Sequence, residues 1–237
     1  MGIVGESGCG KSITAKSILQ IVEAPGRIIN ADILSLGSNS AEMRSIRGGE
    51  ISMIFQEPMT SFSTMHTFGN QIDETLRLHT NLSKAERFDL AVDWLARVRL
   101  RPEYMRRYPH AFSGGQRQRI GIARALAVNP RLILADEPVS GLDVSVQAQV
   151  INLMMDLQDE LGLTYLFVSH DLSVVKQISN RVVVMYVGRI AEIGTPEELF
   201  GAPKHPYTAA LMSSVPKPHP SQRSKRYVLE GEVAKSG

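Results

Sequence analysis

Eight residues near the start of the chain, Gly5-Glu6-Ser7-Gly8-Cys9-Gly10-Lys11-Ser12, have the types and spacing needed to hold a polyphosphate. The glycines permit backbone conformations that a side chain would obstruct, so successive N–H groups can converge on phosphate oxygens. Ile3-Val4 ahead of them reads as a strand stub, and Ile13 through Val22 reads as a helix. The loop therefore opens a helix, where unpaired donors and the helix dipole both favour an anion. Lys11 can extend its charge to the β- and γ-phosphates, and Ser12 offers a hydroxyl to Mg²⁺. The competing reading is an ordinary glycine-rich turn.

Further polar residues stand just after apolar, β-prone runs. Asp136 follows Leu132-Ile133-Leu134-Ala135, Gln56 follows Ile51 to Phe55, and Ser169-His170-Asp171 follows Thr164 to Val168. An open α/β sheet places its ligand site at those strand ends. Asp136 has the position of the second acidic element of phosphate-loop enzymes, whose carboxylate holds Mg²⁺ through water. Its neighbour Glu137 can activate an attacking water as general base. A surface carboxylate is the bland alternative for Glu137, as a satisfied surface or core residue is for His170.

These groups need a scaffold, and the remaining pattern supplies one. Pro25-Gly26 breaks the first helix, and Arg27 to Leu36 reads as short strands with a turn at Gly37-Ser38-Asn39. From Ser61 to Phe112 the pattern is helical, with a capping box at Ser83-Lys84-Ala85-Glu86 and no strand candidate. Ser113-Gly114-Gly115-Gln116 opens a helix through Val128, and Val146 to Leu161 is amphipathic. Val182 to Tyr186 and Arg189 to Ile193 are strands about Gly188, and a short helix lies near Tyr207 to Ser213 before a tail expected to be poorly ordered. Strands alternating with helices predict an α/β fold with a mostly parallel sheet covered on both faces.

The chain has 237 residues, 43% hydrophobic and 21% charged, as in a soluble globular protein. A net charge of +2 is too small to argue for nucleic acid or an anionic membrane surface. With one cysteine, Cys9, an internal disulfide is excluded and a reducing compartment fits. The longest apolar run, Val182 to Val187, is far too short to span a bilayer. No secretory or transit segment is legible, so the expectation is a cytoplasmic protein whose membrane role comes through partners.

Taken together, the motifs resemble the ATP-binding subunits of ABC transporters. The resemblance implies a P-loop ABC-type ATPase with an α-helical insertion: a core at 1–60 and 114–200, a helical subdomain at 61–113, and a tail at 201–237. It implies that Gly5, Glu6, Ser7, Gly8, Cys9, Gly10, Lys11, Ser12 and Ile13 cradle ATP, with Mg²⁺ held at Ser12, Gln56 and Asp136. Gln56 looks like the glutamine that senses the γ-phosphate, and His170 like the switch histidine. With Lys11 and Glu137 they form the implied catalytic set. Ser113-Gly114-Gly115-Gln116, preceded by Phe112 where leucine is commonest, looks like the signature motif. Ser140-Gly141-Leu142-Asp143 is similar to the D-loop, with glycine where alanine is usual. In this family Ser113, Gly114, Gly115, Gln116 and Asp143 of one subunit cover the nucleotide held by another.

Gln56 to Ser61, Tyr108-Pro109-His110, Leu142 to Gln149 and His205-Pro206-Tyr207-Thr208 look like the dipeptide, oligopeptide and nickel importer branch. That implies permease subunits, a second identical or paralogous ATPase subunit, indirectly a solute-binding protein, no nucleic acid, and a place on the inner face of the cell membrane. The choice of solute, and of like or unlike ATPase partner, stays open. So does a soluble ABC ATPase acting on nucleic acid or ribosomes, or an inactive remnant. The pattern departs from the family at both ends. Only Met1 to Val4 precede the loop, where relatives carry antiparallel strands and an adenine-stacking aromatic, and no residue here takes that role. The chain stops just past Val228 to Glu232, ahead of the cysteine-rich segment of many branch members. The expectation is a clipped domain with exposed sheet edges.

Overall fold

A computed structural model of the chain describes residues 1–26, 28 and 40–214. The strands expected between Arg27 and Leu36, the turn at 37–39 and the tail beyond Ser214 lie outside those residues, apart from Ile28. The first half contains β1 (Gly2–Val4), α1 (Lys11–Ile18), α2 (Ser40–Ile46), β2 (Ile51–Ile54), α3 (Pro58–Ser61), α4 (Phe68–His79), α5 (Lys84–Arg97) and α6 (Gly114–Leu126). The second contains β3 (Leu132–Asp136), α7 (Val144–Leu161), β4 (Thr164–Val168), α8 (Leu172–Ile178), β5 (Val182–Tyr186), β6 (Arg189–Gly194), α9 (Pro196–Gly201) and α10 (Pro206–Ser213). By packing the described residues form two units: Met1–Ser17 with those from Leu166 onward, and those of Ile18–Tyr165.

In the first unit β1 lies parallel between β4 and β5. Gly2 stands opposite Phe167 on one side and Val182 on the other. β6 pairs antiparallel with β5, with Tyr186 opposite Arg189 and an irregularity at Val184/Met185. All three residues of β1 are buried. Its glycine is needed for a close approach: a Cβ on Gly2 would stand 2.5 Å from Val175 Cγ1 and 2.6 Å from Ser179 Oγ. Val175 belongs to α8, which Asp171 starts by accepting from the Ser173 N–H at 2.8 Å. Ile3, Cys9, Ala15, Val168, Val183 and Met185 form the apolar centre of this unit.

In the second unit β2 and β3 are parallel, in register from Ile51–Leu132 to Ile54–Ala135. Residues 61–113 contain helices and short 3-10 turns and no strand. Thr67 caps α4, and Ser83 with Glu86 forms the capping box of α5 that the sequence predicts. Phe68 is fully buried and meets Phe62 and Phe112 edge-on, with centroids 4.8 and 4.9 Å apart. Arg124 of α6 reaches back to donate to the Ser61 carbonyl at 2.8 Å and lies over the Phe62 ring. Burial pulls its guanidinium down to about 10.

One helix end and one missed helix are the main departures from the sequence reading. The first helix ends at Ile18 rather than Val22, because Gln20 adopts a left-handed backbone with φ 53°. The Leu19 and Gln20 carbonyls then accept from the Arg47 guanidinium at 2.7 and 3.1 Å. The sequence reading also passed over α9, whose start is marked by a Thr195–Glu198 capping box with proline in the first turn.

Candidate functional site

The phosphate loop is built where β1 hands over to α1. Gly5, Gly8 and Gly10 have φ of 153°, 84° and 98°, all in the region that disfavours side chains. Gly5 is constrained twice, since a Cβ there would fall on the Met185 carbonyl oxygen and within 2.7 Å of Cys9 Sγ. The loop closes around Lys11, which is 4% exposed and donates from Nζ to the Gly5 carbonyl at 2.9 Å and the Glu6 carbonyl at 3.0 Å. These are charge-assisted bonds to neutral oxygens, which a phosphate oxygen can replace with a stronger partner. From outside, the Gly188 N–H donates to the Cys9 carbonyl at 3.0 Å. The Tyr207 hydroxyl accepts from the Glu6 N–H at 3.0 Å. Ser12 sits half-buried in the first turn of α1, and Ile13 beside it is exposed.

His170, in the same unit, is exposed between the end of β4 and the Asp171 cap of α8. The Asp171 N–H donates to Ser169 Oγ at 2.9 Å, which sharpens the turn that carries the histidine.

The second unit holds the carboxylates. Asp136 ends β3 and is 4% exposed. Glu137 follows it with a left-handed φ of 44°, which directs the chain abruptly into Pro138. Non-glycine residues adopt that backbone at a cost and cluster at functional sites. Gln56, exposed two residues past β2, donates from Nε2 to Glu137 Oε2 at 3.3 Å. The structure therefore brings together two of the predicted catalytic residues that stand 81 positions apart.

Ser113 is the N-cap of α6 and forms a second capping box. Its Oγ accepts from the Gln116 N–H at 3.4 Å, and Gln116 Oε1 accepts from the Ser113 N–H at 3.1 Å. The two glycines between them serve a close approach. A Cβ on Gly114 would stand 3.2 Å from Leu142 Cδ2, and one on Gly115 would collide with Val146 Cγ1. The start of α6 thus packs against the Ser140–Asp143 turn and the start of α7. Asp143 is the N-cap residue of α7, and its side chain makes no capping bond.

Among the described residues no group of three or more His, Cys, Asp or Glu gathers as a metal nest. Within its own unit each of the two, the half-buried Ser12 hydroxyl and the buried Asp136 carboxylate, is an oxygen group of the kind a hard divalent cation takes. A cavity of about 250 Å³ lined by Leu19, Arg47, Ile51, Phe55 and Arg124 among others touches none of the predicted site residues.

Sequence reasoning missed the role of Tyr207. The residue was visible within a branch motif, but a bond to Glu6 across 201 positions leaves no local periodicity. The Ser113–Gln116 box was readable, since a serine followed three residues later by glutamine signals a helix start.

A strand, a glycine loop around a buried lysine, and a helix define a nucleoside-triphosphate-binding α/β protein of the phosphate-loop class. The chain belongs to the ABC transporter family, whose pattern it matches over residues 1–140, and its activity class is ATP hydrolysis. Residues 191–236 match a second family, the oligopeptide/dipeptide transporter C-terminal region. The dipeptide transport ATP-binding protein DppF of Haemophilus influenzae is 48% identical over 98% of this chain and 71% of its own length. A putative peptide import ATP-binding protein of Brucella ovis is 50% identical, over 98% of this chain and 74% of its own.

Solved structures agree on the fold. The ATP-binding cassette MJ0796, a dimer in a post-hydrolysis state bound to ADP and Pi, superposes with a TM-score of 0.69 at 29% identity. The match covers 82% of this chain and 84% of that one. The cbiO1 protein of Clostridium perfringens, part of the ABC transporter complex cbiONQ, gives a TM-score of 0.72 at 26% identity, over 85% and 78%.

Proposed function

We propose that this chain is the ATP-hydrolysing subunit that energises an importer of dipeptides or oligopeptides. The observation that carries the reading is a conjunction: a loop closed around buried Lys11, on a chain whose residues 191–236 match the oligopeptide/dipeptide transporter C-terminal region. On this reading the N–H groups of Gly5 to Ile13 hold the phosphates of ATP, and Lys11 exchanges its carbonyl partners for phosphate oxygens. Mg²⁺ would be held by Ser12, Gln56 and Asp136 and would offset phosphate charge. Glu137 takes the proton of the attacking water, Gln56 steers that carboxylate, and His170 contacts the γ-phosphate.

The signature residues Ser113, Gly114, Gly115 and Gln116, with Asp143, would close over ATP held by a second ATPase subunit. A serine and two glycines at a helix start again present donors to an anion. Among the described residues no helix is long and apolar enough to cross a membrane, so permease subunits would supply the passage. Their docking surface is proposed on the segment after Gln56 and the helical subdomain at 61–113, where Met65, Leu78, Phe88 and Tyr108 are exposed. The ATPase core would be 1–60 with 114–200 and the transporter-type tail 201–237, and the subunit would work on the cytoplasmic face of the membrane.

The test is the melting temperature of the chain with and without MgATP, alongside Lys11→Ala. A nucleotide that binds only the folded state raises the midpoint. The expected result is a rise that Lys11→Ala removes. An unchanged midpoint in the parent, or an equal rise in the variant, would overturn the loop's assignment.

A further inference from the structure

The loop's second residue is held from both sides. Its carbonyl accepts from Lys11 Nζ at 3.0 Å and from the Cys9 N–H at 3.3 Å. Its N–H donates to the Tyr207 hydroxyl at 3.0 Å. Once Lys11 turns to a phosphate, one of the carbonyl's partners is gone, and the tyrosine remains as a fixed anchor on that peptide.

Tyr207 is itself firmly placed. It is 3% exposed and its ring lies against Tyr186, with centroids 4.3 Å apart. It is the second residue of α10, whose start is set by neighbours in the same motif. His205 Nδ1 accepts from the Tyr207 N–H at 3.1 Å, and Pro206 fills the first helical position. The N–H groups of Lys204 and His205 donate to the two oxygens of Glu192 on β6, at 2.9 and 3.0 Å. A chain of contacts thus runs from a carboxylate on β6, through the cap of α10, to the mouth of the phosphate loop.

We infer that Tyr207 is a positioning residue for nucleotide binding, which fixes the Glu6 peptide through its hydroxyl and is itself aimed by His205 and Glu192. The inference rests on the proposed ATP site and adds to it a role for the His205-Pro206-Tyr207 segment. That segment becomes a brace on the phosphate loop, supplied from the transporter-type tail. Burial pushes the phenol up to about 12.

The experiment measures MgATP affinity and steady-state ATP hydrolysis for the parent, Tyr207→Phe, His205→Ala and the double variant, with Lys11→Ala alongside. Phenylalanine keeps the ring contact with Tyr186 and removes only the hydroxyl. Loss of one such bond should weaken MgATP binding and raise KM by about two- to tenfold, with kcat held within about twofold. His205→Ala should weaken binding in the same direction, and its effect should shrink in the Tyr207→Phe background because both act through one hydroxyl. Unchanged affinity in Tyr207→Phe would overturn the inference, as would full additivity of the two substitutions or a loss confined to kcat. If Lys11→Ala binds MgATP as well as the parent, it is the proposed site that fails.

Discussion

The start of α6 offers a sharp test of why the signature glycines are glycines. Gly115→Ala places a methyl group against Val146 Cγ1, too close for the two to coexist without movement. Overpacking of this kind costs about 1–3 kcal/mol. Alanine in a helix regains up to about 1 kcal/mol over glycine, so the net loss of stability is roughly 0–3 kcal/mol. Trimming the obstacle should reverse the sign. In a Val146→Ala background the clash is gone and Gly115→Ala should stabilise by up to about 1 kcal/mol. The coupling between the two substitutions is then about 1–3 kcal/mol, read from urea denaturation of the four proteins in a double-mutant cycle. If Gly115→Ala destabilises equally in both backgrounds, packing against α7 is not what constrains the residue, and the glycine must be explained by its ligand alone.

Three other expectations follow from the structure. Glu137→Gln should keep MgATP binding while lowering turnover by more than tenfold, on the order expected for losing a general base; undiminished hydrolysis would remove Glu137 from that role. Phe68→Ala should cost about 3–5 kcal/mol in denaturant unfolding, since it empties a fully buried site between Phe62 and Phe112. A loss below about 1 kcal/mol would mean that the surrounding rings close the gap. The third concerns alkaline pH. The Tyr207 phenol is raised by burial from 10.0 to about 12, so the folded state keeps a proton that the unfolded chain releases first. Its contribution is intact below pH 10 and falls as pH rises from 10 towards 12. Melting temperatures across that window should decline less steeply in Tyr207→Phe than in the parent, and parallel curves would count against the buried-phenol argument.

Much of this was written locally in the chain. The phosphate loop, β4 and β5 were legible because a glycine pattern or a bounded apolar run is a short-range signal. So was the Ser83 box, since each of its partners lies within one helical turn of the other. What the sequence hid was non-local or conformational. Nothing in Ile13 to Val22 announces that Gln20 will turn left-handed and end α1 early, because the cation that donates to its carbonyl arrives from Arg47. The reach of Gln56 to Glu137 depends on β2 and β3 being neighbours, which no single stretch specifies. Tyr207 is the clearest case: its residue type was visible, and its partner was not.

The capping box of Ser113 has a consequence for what that serine can still do. A hydroxyl carries two lone pairs and one hydrogen. In the box only a lone pair is used, because Oγ accepts from the Gln116 N–H. The hydrogen is left to be directed elsewhere, and an approaching phosphate oxygen needs a donor. Helix capping and the proposed anion recognition would therefore draw on opposite polarities of the same atom group and would not compete. Aspartate, a good N-cap, would preserve the helix start while offering the phosphate a negative charge and no hydrogen. On the proposed reading, serine at 113 is the small side chain that satisfies its own helix and could still act as a donor to a second molecule.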